Sequence, residues 1–479
     1  MNTVDFTCAI DKDEQKPLHH YWEHTVGSGH ATMALRADWQ QQLTKCRHDL
    51  GFRYVRFHGI LCDDMGTLVD EKDKLVYSFH NIDVIIDFLL SIGMRPFIEL
   101  SFMPTTLASG DKTTFHYNAN VTPPKDYDAW EKLINKLVTH LVNRYGKNEV
   151  GQWFFEVWNE PNLNSFWTGT QADYFKLYMH TAKVVKNICP SAKIGGPATA
   201  KNEWITEMVE FAKKEELSLD FISTHHYPTD AFGSPGDNTI EQLAKSRRSV
   251  LRDEASETKK KAGNIPVYYT EWSASSNPFD ELHDEPYSAA FIVKTVLEAN
   301  GYVEGYSYWT FSDLFEENYF SSVPFHGGFG LQTIHGIPKP SYRAYQLLHK
   351  LGNNQVAVAG SHQTVDAWAT CSKQKIQMLL SNSALPKHPI QTAILKISVT
   401  GAGNIKGGYI ERIDDDHANP LKTWKAMGSP ADLLPLQVHA AEAASMLIKE
   451  PLTPLVEDGT VFLNISIPPQ GVACITLEL

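Results

Sequence analysis

Two glutamates stand at the ends of short apolar runs, and their positions suggest a shared chemistry. Glu160 follows the run 153–158 (WFFEVW) by way of Asn159, and Glu271 directly follows 265–270 (IPVYYT). Short apolar runs of this kind are typical of buried strands. The carboxyl ends of barrel strands carry the active site in (β/α)8 enzymes. Two carboxyls that meet there could act as a general acid and a nucleophile, the pair with which retaining enzymes cleave a glycosidic bond.

The elements that must position these glutamates alternate between strands and helices up to about residue 350. The predicted strands are 22–26, 54–57, 95–100, 153–157, 193–196, 220–223, 266–269 and 305–309. The clearest helical segments, with apolar residues at i, i+3 and i+4, are 81–92, 128–145, 173–188 and 286–300. Alternation of this kind is typical of a parallel sheet enclosed by helices. The predicted fold class is therefore α/β, with a (β/α)8 TIM barrel.

After residue 351 the sequence changes to short strands separated by Gly, Asn, Pro and Asp turns. The strand-like segments are 356–358, 365–369, 376–381, 393–399, 460–467 and 472–479, with one candidate helix at 438–448. This pattern predicts a C-terminal antiparallel β-sandwich. The chain is therefore divided into an N-terminal strand that pairs with the sandwich (1–15), a catalytic barrel (16–350) and an accessory sandwich (351–479).

Two long connections follow predicted strands three and eight, at 102–125 and 310–339. Long loops in compact domains usually serve function, and the loops at the C-terminal face of a barrel build its site. A tolerated surface insertion is the alternative. Function is favoured because both loops are rich in aromatic residues, namely Phe102, Phe115, Tyr117, Phe315, Tyr319 and Phe320.

Several further motifs stand out in the sequence: FEVWNEPN at 155, YYTEWS at 268, YVRFHG at 54 followed by CDDMG at 62, STHHY at 223 and DLFEE at 313. Together they resemble glycoside hydrolase family 39, and within it the microbial β-xylosidases. The resemblance covers the barrel and extends to a C-terminal sandwich. It implies an acid/base on strand four, here Glu160, and a nucleophile on strand seven, here Glu271. A carboxylate roughly 5 Å away would also raise the pKa of Glu160, as its role requires.

The same resemblance implies roles for residues beside the catalytic pair. Asn159 would donate to the sugar 2-hydroxyl, with a simple turn residue as the alternative. His225 would hydrogen-bond the sugar and Tyr227 would orient the nucleophile, since residues two apart on a strand share a face. A packed core histidine is the alternative for His225.

Four further residues are predicted to bind substrate. His58 ends strand two, and Trp309 ends strand eight, where its ring could cover a sugar face or merely fill the barrel. Glu316 and Glu317 resemble the paired acids that β-xylosidases use on the outer hydroxyls, although adjacent acids in loops are often only solvated. Glu99, at the end of strand three, could be a carboxylate that contacts the site residues rather than the substrate.

Neither a metal nor a cofactor is expected. The pairs His19–His20 and His225–His226 lack the spacing that places two ligands on one helix or knuckle. The sequence also lacks a dinucleotide-binding glycine motif, a phosphate loop and a serine nucleophile elbow.

The composition of the chain limits its possible binding partners and its cellular compartment. The formal net charge of −13 argues against nucleic acid and anionic membranes as partners, and no apolar run is long enough to span a membrane. The N-terminal residues lack the features of a signal peptide. The six scattered cysteines indicate free thiols in a reducing compartment, with disulfides or zinc as the alternative. We expect a cytoplasmic protein, capable of forming a homo-oligomer, that acts on a small oligosaccharide.

These expectations combine into a retaining exo-glycosidase that hydrolyses β-xylosidic bonds of short xylo-oligosaccharides by double displacement. Another specificity within the family, for an α-L-iduronide or an arabinoside, is the first alternative. A uronate would be repelled by Glu316 and Glu317. A carbohydrate-binding protein without turnover is the second alternative, and the presence of both Glu160 and Glu271 speaks against it.

Overall fold

The computed structural model describes residues 3–10, 15–72, 74–229, 238–317, 321–403 and 405–479. Its strands are β1 (Thr3–Ala9), β2 (Lys16–Pro17), β3 (Thr25–His30), β4 (Tyr54–His58), β5 (Leu68–Glu71), β6 (Lys74–Tyr77), β7 (Arg95–Leu100), β8 (Thr113–Thr114), β9 (Ala119–Asn120), β10 (Phe154–Val157), β11 (Lys193–Thr199), β12 (Phe221–His226), β13 (Val267–Trp272), β14 (Gly305–Tyr308), β15 (Asn354–Val356), β16 (Val358–Ala359), β17 (Val365–Cys371), β18 (Lys375–Asn382), β19 (Ala393–Thr400), β20 (Gly407–Ile413), β21 (Glu450–Leu452), β22 (Leu455–Glu457), β23 (Thr460–Ile467) and β24 (Gly471–Glu478).

In the described residues, helices alternate with the barrel strands, and two more lie near the C-terminus. They are α1 (Ala37–Leu50), α2 (His80–Ser91), α3 (Tyr127–Tyr145), α4 (Lys147–Val150), α5 (Gln171–Ile188), α6 (Ile205–Lys214), α7 (Thr239–Lys245), α8 (Val250–Ala262), α9 (Pro286–Glu298), α10 (Pro340–His349), α11 (Pro420–Ala426) and α12 (Pro435–Ala444).

Eight parallel strands close into a barrel, which confirms the predicted fold class. Their order around the barrel is β3, β4, β7, β10, β11, β12, β13 and β14, which returns to β3. Rings from four strands, near the point where each strand begins, pack on one another inside the barrel: Phe97, Phe154, Phe221 and Tyr268. This apolar plug fills the N-terminal end and leaves the C-terminal end for polar groups.

The first barrel strand was predicted wrongly. It was expected at 22–26, but β3 begins at Thr25, and residues 21–23 form a short 3-10 turn. The strand was missed because its glycines interrupt the apolar pattern. A Cβ at Gly27 would lie 2.6 Å from the Trp309 ring, and one at Gly29 would lie 2.9 Å from the Phe315 ring. Close approach of aromatic rings therefore demands glycine where an apolar side chain would have signalled a strand.

Three barrel strands extend further than the apolar pattern suggested, and the first of them, β11, runs to Thr199. β12 runs on through His225 to His226, and β13 runs through Glu271 to Trp272. Glu271 therefore lies within its strand rather than after it. Among the extra residues, His225 and Thr270 are polar side chains that hydrogen-bond each other, so they carry no apolar signal.

Most strands outside the barrel form two large sheets, whereas β5–β6 and β8–β9 are separate two-stranded sheets. One has the order β16-β1-β19-β23-β22, and the other has the order β2-β15-β17-β18-β24-β20-β21. Phe6 and Ile397 of the first sheet share an apolar core with Met378 and Ile475 of the second. One pairing departs from the predicted antiparallel arrangement, because β1 runs parallel to β19.

The seven-stranded sheet also packs against the barrel through its other face. Leu379 and Cys474 belong to the same apolar core as the helices around the barrel. The Ser381 hydroxyl donates to the carbonyl of Ala290 in α9 at 2.9 Å. Strands β20, β21 and β22 and helix α11 were not expected from the sequence, and the helix expected at 438–448 is α12.

The two long loops carry structure of their own on the C-terminal face. The first contains the small β8–β9 hairpin. The second is anchored by buried Lys339, whose Nζ lies 2.6 Å from both Asp284 and Asp313 and donates to the Gly328 carbonyl at 2.9 Å. A buried ammonium needs such complete pairing. Tyr319 and Phe320, the aromatic residues predicted at the tip of this loop, lie outside the described residues.

Candidate active site

A cavity of about 350 Å³ opens among the loops at the C-terminal ends of the barrel strands. This volume lies within the range of small-molecule sites. Eight of the nine residues predicted from the sequence line it: His58, Asn159, Glu160, His225, Tyr227, Glu271, Trp309 and Glu317. Glu316 is the exception.

Glu160 and Glu271 face each other across this cavity from the fourth and seventh barrel strands. Glu160 lies in the turn after β10 with a φ of +42°, and its backbone N–H donates to Ala198 at 2.8 Å. Such a left-handed backbone is strained for glutamate and typical of functional sites. One oxygen of each carboxyl and a ring nitrogen of His225 all lie within 4.8 Å of one another. This spacing fits the ~5–5.5 Å of retaining glycosidases rather than the ~6.5–9.5 Å of inverting ones.

Arg56 contacts four buried polar side chains beneath the cavity, and no role was predicted for it beyond its place in a motif. Its fully buried guanidinium donates to Glu271 at 2.7 Å, to Glu156 at 2.5 Å and to Asn159 at 2.9 Å. It also pairs with Glu99 at 2.7 Å. A charged residue within an apolar strand was the available sign of such a network, because a buried charge must be paired.

Both oxygens of Glu271 are held by donors. Oε1 accepts from Arg56, and Oε2 accepts from the Tyr227 hydroxyl at 3.1 Å. Burial raises the pKa of Tyr227 well above its usual value, so the phenol keeps its proton. The carboxyl of Glu271 is thereby locked in one orientation.

His225 contacts Glu160, and its expected hydrogen bond to the sugar stays a prediction. Its Nδ1 lies 2.9 Å from Glu160 Oε1, and its Nε2 lies 3.1 Å from the hydroxyl of Thr270. Thr270 in turn donates to Glu156 at 2.8 Å. Burial lowers the pKa of His225 to about 4, so the ring is neutral near pH 7. No role was expected for Thr270, because a threonine in a strand carries no signal of function.

The pKa of Glu160 is raised to about 7, and burial is the largest cause. The charges of His58 and Arg56 oppose this shift. The sequence-based expectation that the charge of Glu271 drives the shift was therefore wrong about the dominant cause. The reason is that Arg56 pairs with Glu271 and offsets its charge.

His58 links Glu99 to Glu317. Its Nδ1 lies 2.7 Å from Glu99 and its Nε2 lies 3.3 Å from Glu317. Burial lowers the pKa of His58, but the charge of Glu99 and the hydrogen bond to Glu317 outweigh burial and raise the pKa to about 10. His58 is therefore an imidazolium at neutral pH, and it holds Glu317 in the cavity wall.

Glu316 turns away from the cavity. Its Oε1 lies 3.0 Å from Nδ1 of His30 and accepts from Thr32 at 3.1 Å. Burial opposes its ionisation, yet the hydrogen bond and charge of His30 hold the pKa of Glu316 below its usual value. The predicted pair of acids thus splits, with Glu317 in the cavity wall and Glu316 behind it.

Trp309 and the first long loop close the same side of the cavity. The Trp309 ring lies 4.9 Å from the His58 ring. The backbone N–H of His116 in that loop donates to the Glu317 carbonyl at 3.2 Å, which ties the two loops together. Phe115 from this loop also lines the cavity. Other lining residues that the sequence did not single out are Leu163, Phe166, Ala200, Lys201, Thr229, Ser276, Pro278 and Phe329.

Three groups of side chains in the described ranges bring atoms of metal-ligand type within 4.8 Å: His20–Glu23–His349, His30–Cys62–Asp64 and Glu160–His225–Glu271. The third is the carboxyl pair itself, whose chemistry requires no metal. In the first, Glu23 pairs with both histidines, and in the second, His30 pairs with Asp64 at 3.4 Å. The absence of a metal or cofactor stays a prediction.

A (β/α)8 barrel with two adjacent carboxyls on its fourth and seventh strands defines a glycosidase, which acts on a carbohydrate. The chain belongs to glycosyl hydrolases family 39, whose family model matches residues 7–461, and the predicted family is thereby confirmed. No helix in the described part of the chain combines the length and apolar character needed to cross a membrane.

The relatives of the chain are similar over nearly its whole length. A "Beta-xylosidase" of Caldicellulosiruptor saccharolyticus is 49% identical over 96% of both chains. A "Beta-xylosidase" of Geobacillus stearothermophilus is 36% identical over 85% of this chain and 83% of its own. Among solved structures, a monomeric β-xylosidase from Caulobacter crescentus CB15 superposes with a TM-score of 0.87 at 32% identity, over 100% of this chain and 99% of its own.

Proposed function

We propose that the chain is a retaining exo-acting β-xylosidase that releases xylose from short xylo-oligosaccharides. The observation that carries this proposal is the pair Glu160 and Glu271, whose oxygens lie within 4.8 Å of each other in contrasting surroundings. Glu271 is held by the cation Arg56, whereas burial raises the pKa of Glu160 to about 7. The 49% identity to a β-xylosidase supports the sugar assignment.

In the first step, Glu271 attacks the anomeric carbon and forms a glycosyl ester. The bond from that carbon to the leaving oxygen breaks, and the proton of Glu160 passes to this oxygen. In the second step, water attacks the anomeric carbon, its proton passes to Glu160, and the Glu271 carboxylate departs. Two inversions at one carbon leave the configuration of the product unchanged.

The sugar is held by groups around the carboxyl pair. Because Oδ1 of Asn159 accepts from Arg56, its donor Nδ2 is the amide atom that can address the 2-hydroxyl. We assign the outer hydroxyls to Glu317 and the imidazolium of His58, and one sugar face to Trp309. Burial raises the pKa of Glu317, although the hydrogen bond and the charge of His58 oppose this shift. In its ionised form, Glu317 disfavours a uronate substrate by charge repulsion.

A panel of nitrophenyl glycosides tests the assignment directly. The β-D-xyloside is expected to give the highest kcat/KM, above arabinosides, glucoside and an iduronide analogue. A preference for the arabinoside or the iduronide would reassign the substrate within the family. No cleavage of any member would favour a binding protein without turnover.

Replacing Glu317 with alanine is expected to lower kcat/KM on xylosides by about tenfold or more. The substitution leaves hydroxyl groups of the sugar without an acceptor, which costs about 1–3 kcal/mol. The matched control is Glu316→Ala in the same loop, whose carboxyl is bound to His30 and Thr32. Its loss on xylosides is expected to be smaller. Wild-type kinetics of Glu317→Ala would remove this residue from substrate binding.

We propose a homo-oligomer, supported by apolar side chains around α12. Leu434, Leu436, Met446 and Ile448 are 67%, 81%, 51% and 60% exposed, and clustered exposed apolar residues often mark protein interfaces. Light scattering is expected to give a mass above 53.9 kDa, and Leu436→Asp is expected to shift it towards the monomer. A monomeric wild-type protein would contradict this proposal. The relative from Caulobacter is itself described as monomeric.

The predicted compartment and domain division remain proposals. A cytoplasmic location is supported by six cysteines that are all buried and free of disulfides, as reducing compartments favour. The division into 1–15, 16–350 and 351–479 is supported by the separate apolar cores of the barrel and the two sheets. Lys16 and Pro17 pair with β15 of the seven-stranded sheet. This pairing supports a start of the barrel domain after Pro17 rather than before Lys16.

A further inference from the structure

We propose that Thr270 and Glu156 are positioning residues, which fix the tautomer of His225 so that its Nδ1 accepts a hydrogen bond from protonated Glu160. The three side chains form an unbroken chain of contacts that ends on the acid. The inference rests on the proposed function, because it assigns Glu160 the role of acid/base.

The direction of each hydrogen bond follows from the donors available. Glu156 is a carboxylate paired with Arg56, and a carboxylate only accepts. Thr270 lies 2.8 Å from Glu156 and must donate its one hydroxyl proton there. The Thr270 oxygen therefore accepts from His225 at 3.1 Å, and His225 carries its proton on Nε2.

Within the described part of the chain, no competing donor reverses this assignment. Nη2 of Arg56 lies 3.5 Å from Nε2 of His225, but its two hydrogens already serve Asn159 at 2.9 Å and Glu99 at 2.7 Å. Burial also keeps His225 neutral near pH 7, because it lowers the pKa of the ring to about 4. With one proton on Nε2, the ring has only a lone pair at Nδ1.

This lone pair points at Glu160 Oε1 from 2.9 Å. A hydrogen bond forms there only when Glu160 carries a proton, and an ionised Glu160 would face the lone pair instead. The contact therefore favours the protonated acid. The titratable and charged groups around Glu160 and His225 are Arg56, His58, Glu99, Glu156, Lys201, Tyr227, Glu271 and Glu317.

The contact acts in both steps of the reaction. In the first step it keeps a proton on Glu160 for the leaving oxygen. Once that proton has left, the Glu160 carboxylate faces Nδ1 and accepts the proton of the attacking water more readily. Nδ1 of His225 also lies 3.6 Å from Oε2 of Glu271, so the charge of Glu271 acts on the ring until this residue is esterified, whereas the contact with Glu160 persists.

The test is the pH profile of kcat/KM with a substrate whose leaving group needs protonation, such as xylobiose. In Thr270→Val, His225 can move its proton to Nδ1 and donate to ionised Glu160. The basic limb is expected to shift down by about one pH unit, which is a tenfold loss above the limb, while activity below the limb is largely kept. Thr270→Ser restores the hydroxyl and is expected to restore the profile.

An unchanged basic limb in Thr270→Val would overturn the proposal, and so would an equal shift in Thr270→Ser. The tautomer can also be read by ¹⁵N NMR of labelled histidine, with the His225 signal identified by its loss in His225→Asn. Wild-type protein is expected to show Nε2–H, and Nδ1–H would overturn the proposal. If the wild-type protein cleaves no xyloside, the proposed function fails, whereas the NMR result still tests the tautomer.

Discussion

Replacing Glu271 with alanine is expected to lower kcat on every xyloside by on the order of 10⁴-fold or more. The reason is that Glu271 is the carboxylate that faces Glu160 from the seventh barrel strand, whereas Glu317, the further acid among the described residues that line the cavity, is assigned to the outer hydroxyls. Glu156 and Glu99 are the nearest buried acids around Arg56, and both are fully buried beneath the cavity. The measurement is steady-state turnover of nitrophenyl β-D-xyloside, with thermal unfolding as the check that the variant folds.

Azide provides the control for this variant. A small anion can occupy the space vacated by the Glu271 side chain and attack the anomeric carbon once. Rescue is expected to give the xylosyl azide of inverted configuration. If azide instead rescued Glu160→Ala with inversion, the two catalytic roles would be exchanged.

Replacing Glu160 with alanine is expected to cost about 10²–10⁴-fold in kcat/KM on xylobiose, the usual contribution of general acid catalysis. Dinitrophenyl xyloside should lose much less in kcat/KM, because its leaving group departs without protonation. The wild-type profile on xylobiose is expected to fall as pH rises through about 7, since Glu160 must be protonated and its pKa is about 7. That limb should be absent in the variant.

Equal losses on both substrates would remove Glu160 from the acid role. A basic limb that persists in Glu160→Ala would assign the titration to another group. His58 does not account for a limb near pH 7, because the pKa of this residue is about 10.

The carboxyl pair could be predicted because its signals are local. Each glutamate follows or ends an apolar run, and the seventh and fourth strands of a barrel bring such ends to one face. The barrel could be predicted for the same reason, because buried parallel strands appear in a sequence as short apolar runs between helices. The first strand was the exception, because Gly27 and Gly29 accommodate the rings of Trp309 and Phe315.

Apart from Glu99, the supporting network could not be predicted, because its contacts join residues that are distant in sequence. Arg56 meets Glu156 and Glu271 only after eight strands have closed. The same holds for Thr270, which acquires its role through a hydrogen bond to Glu156 across the barrel. The pKa of Glu160 likewise depends on burial, which is a property of the assembled cavity and not of the motif.

Trapping the intermediate tests the central claim most directly. A 2-deoxy-2-fluoro-β-xyloside with a dinitrophenol leaving group slows the second step, because the fluorine destabilises the oxocarbenium-like transition state. Peptide mass spectrometry after incubation is expected to find one fluoroxylosyl group, carried on Glu271. A label on another residue, or no label while NMR of the natural reaction detects α-xylose as the first product, would contradict the retaining mechanism proposed here.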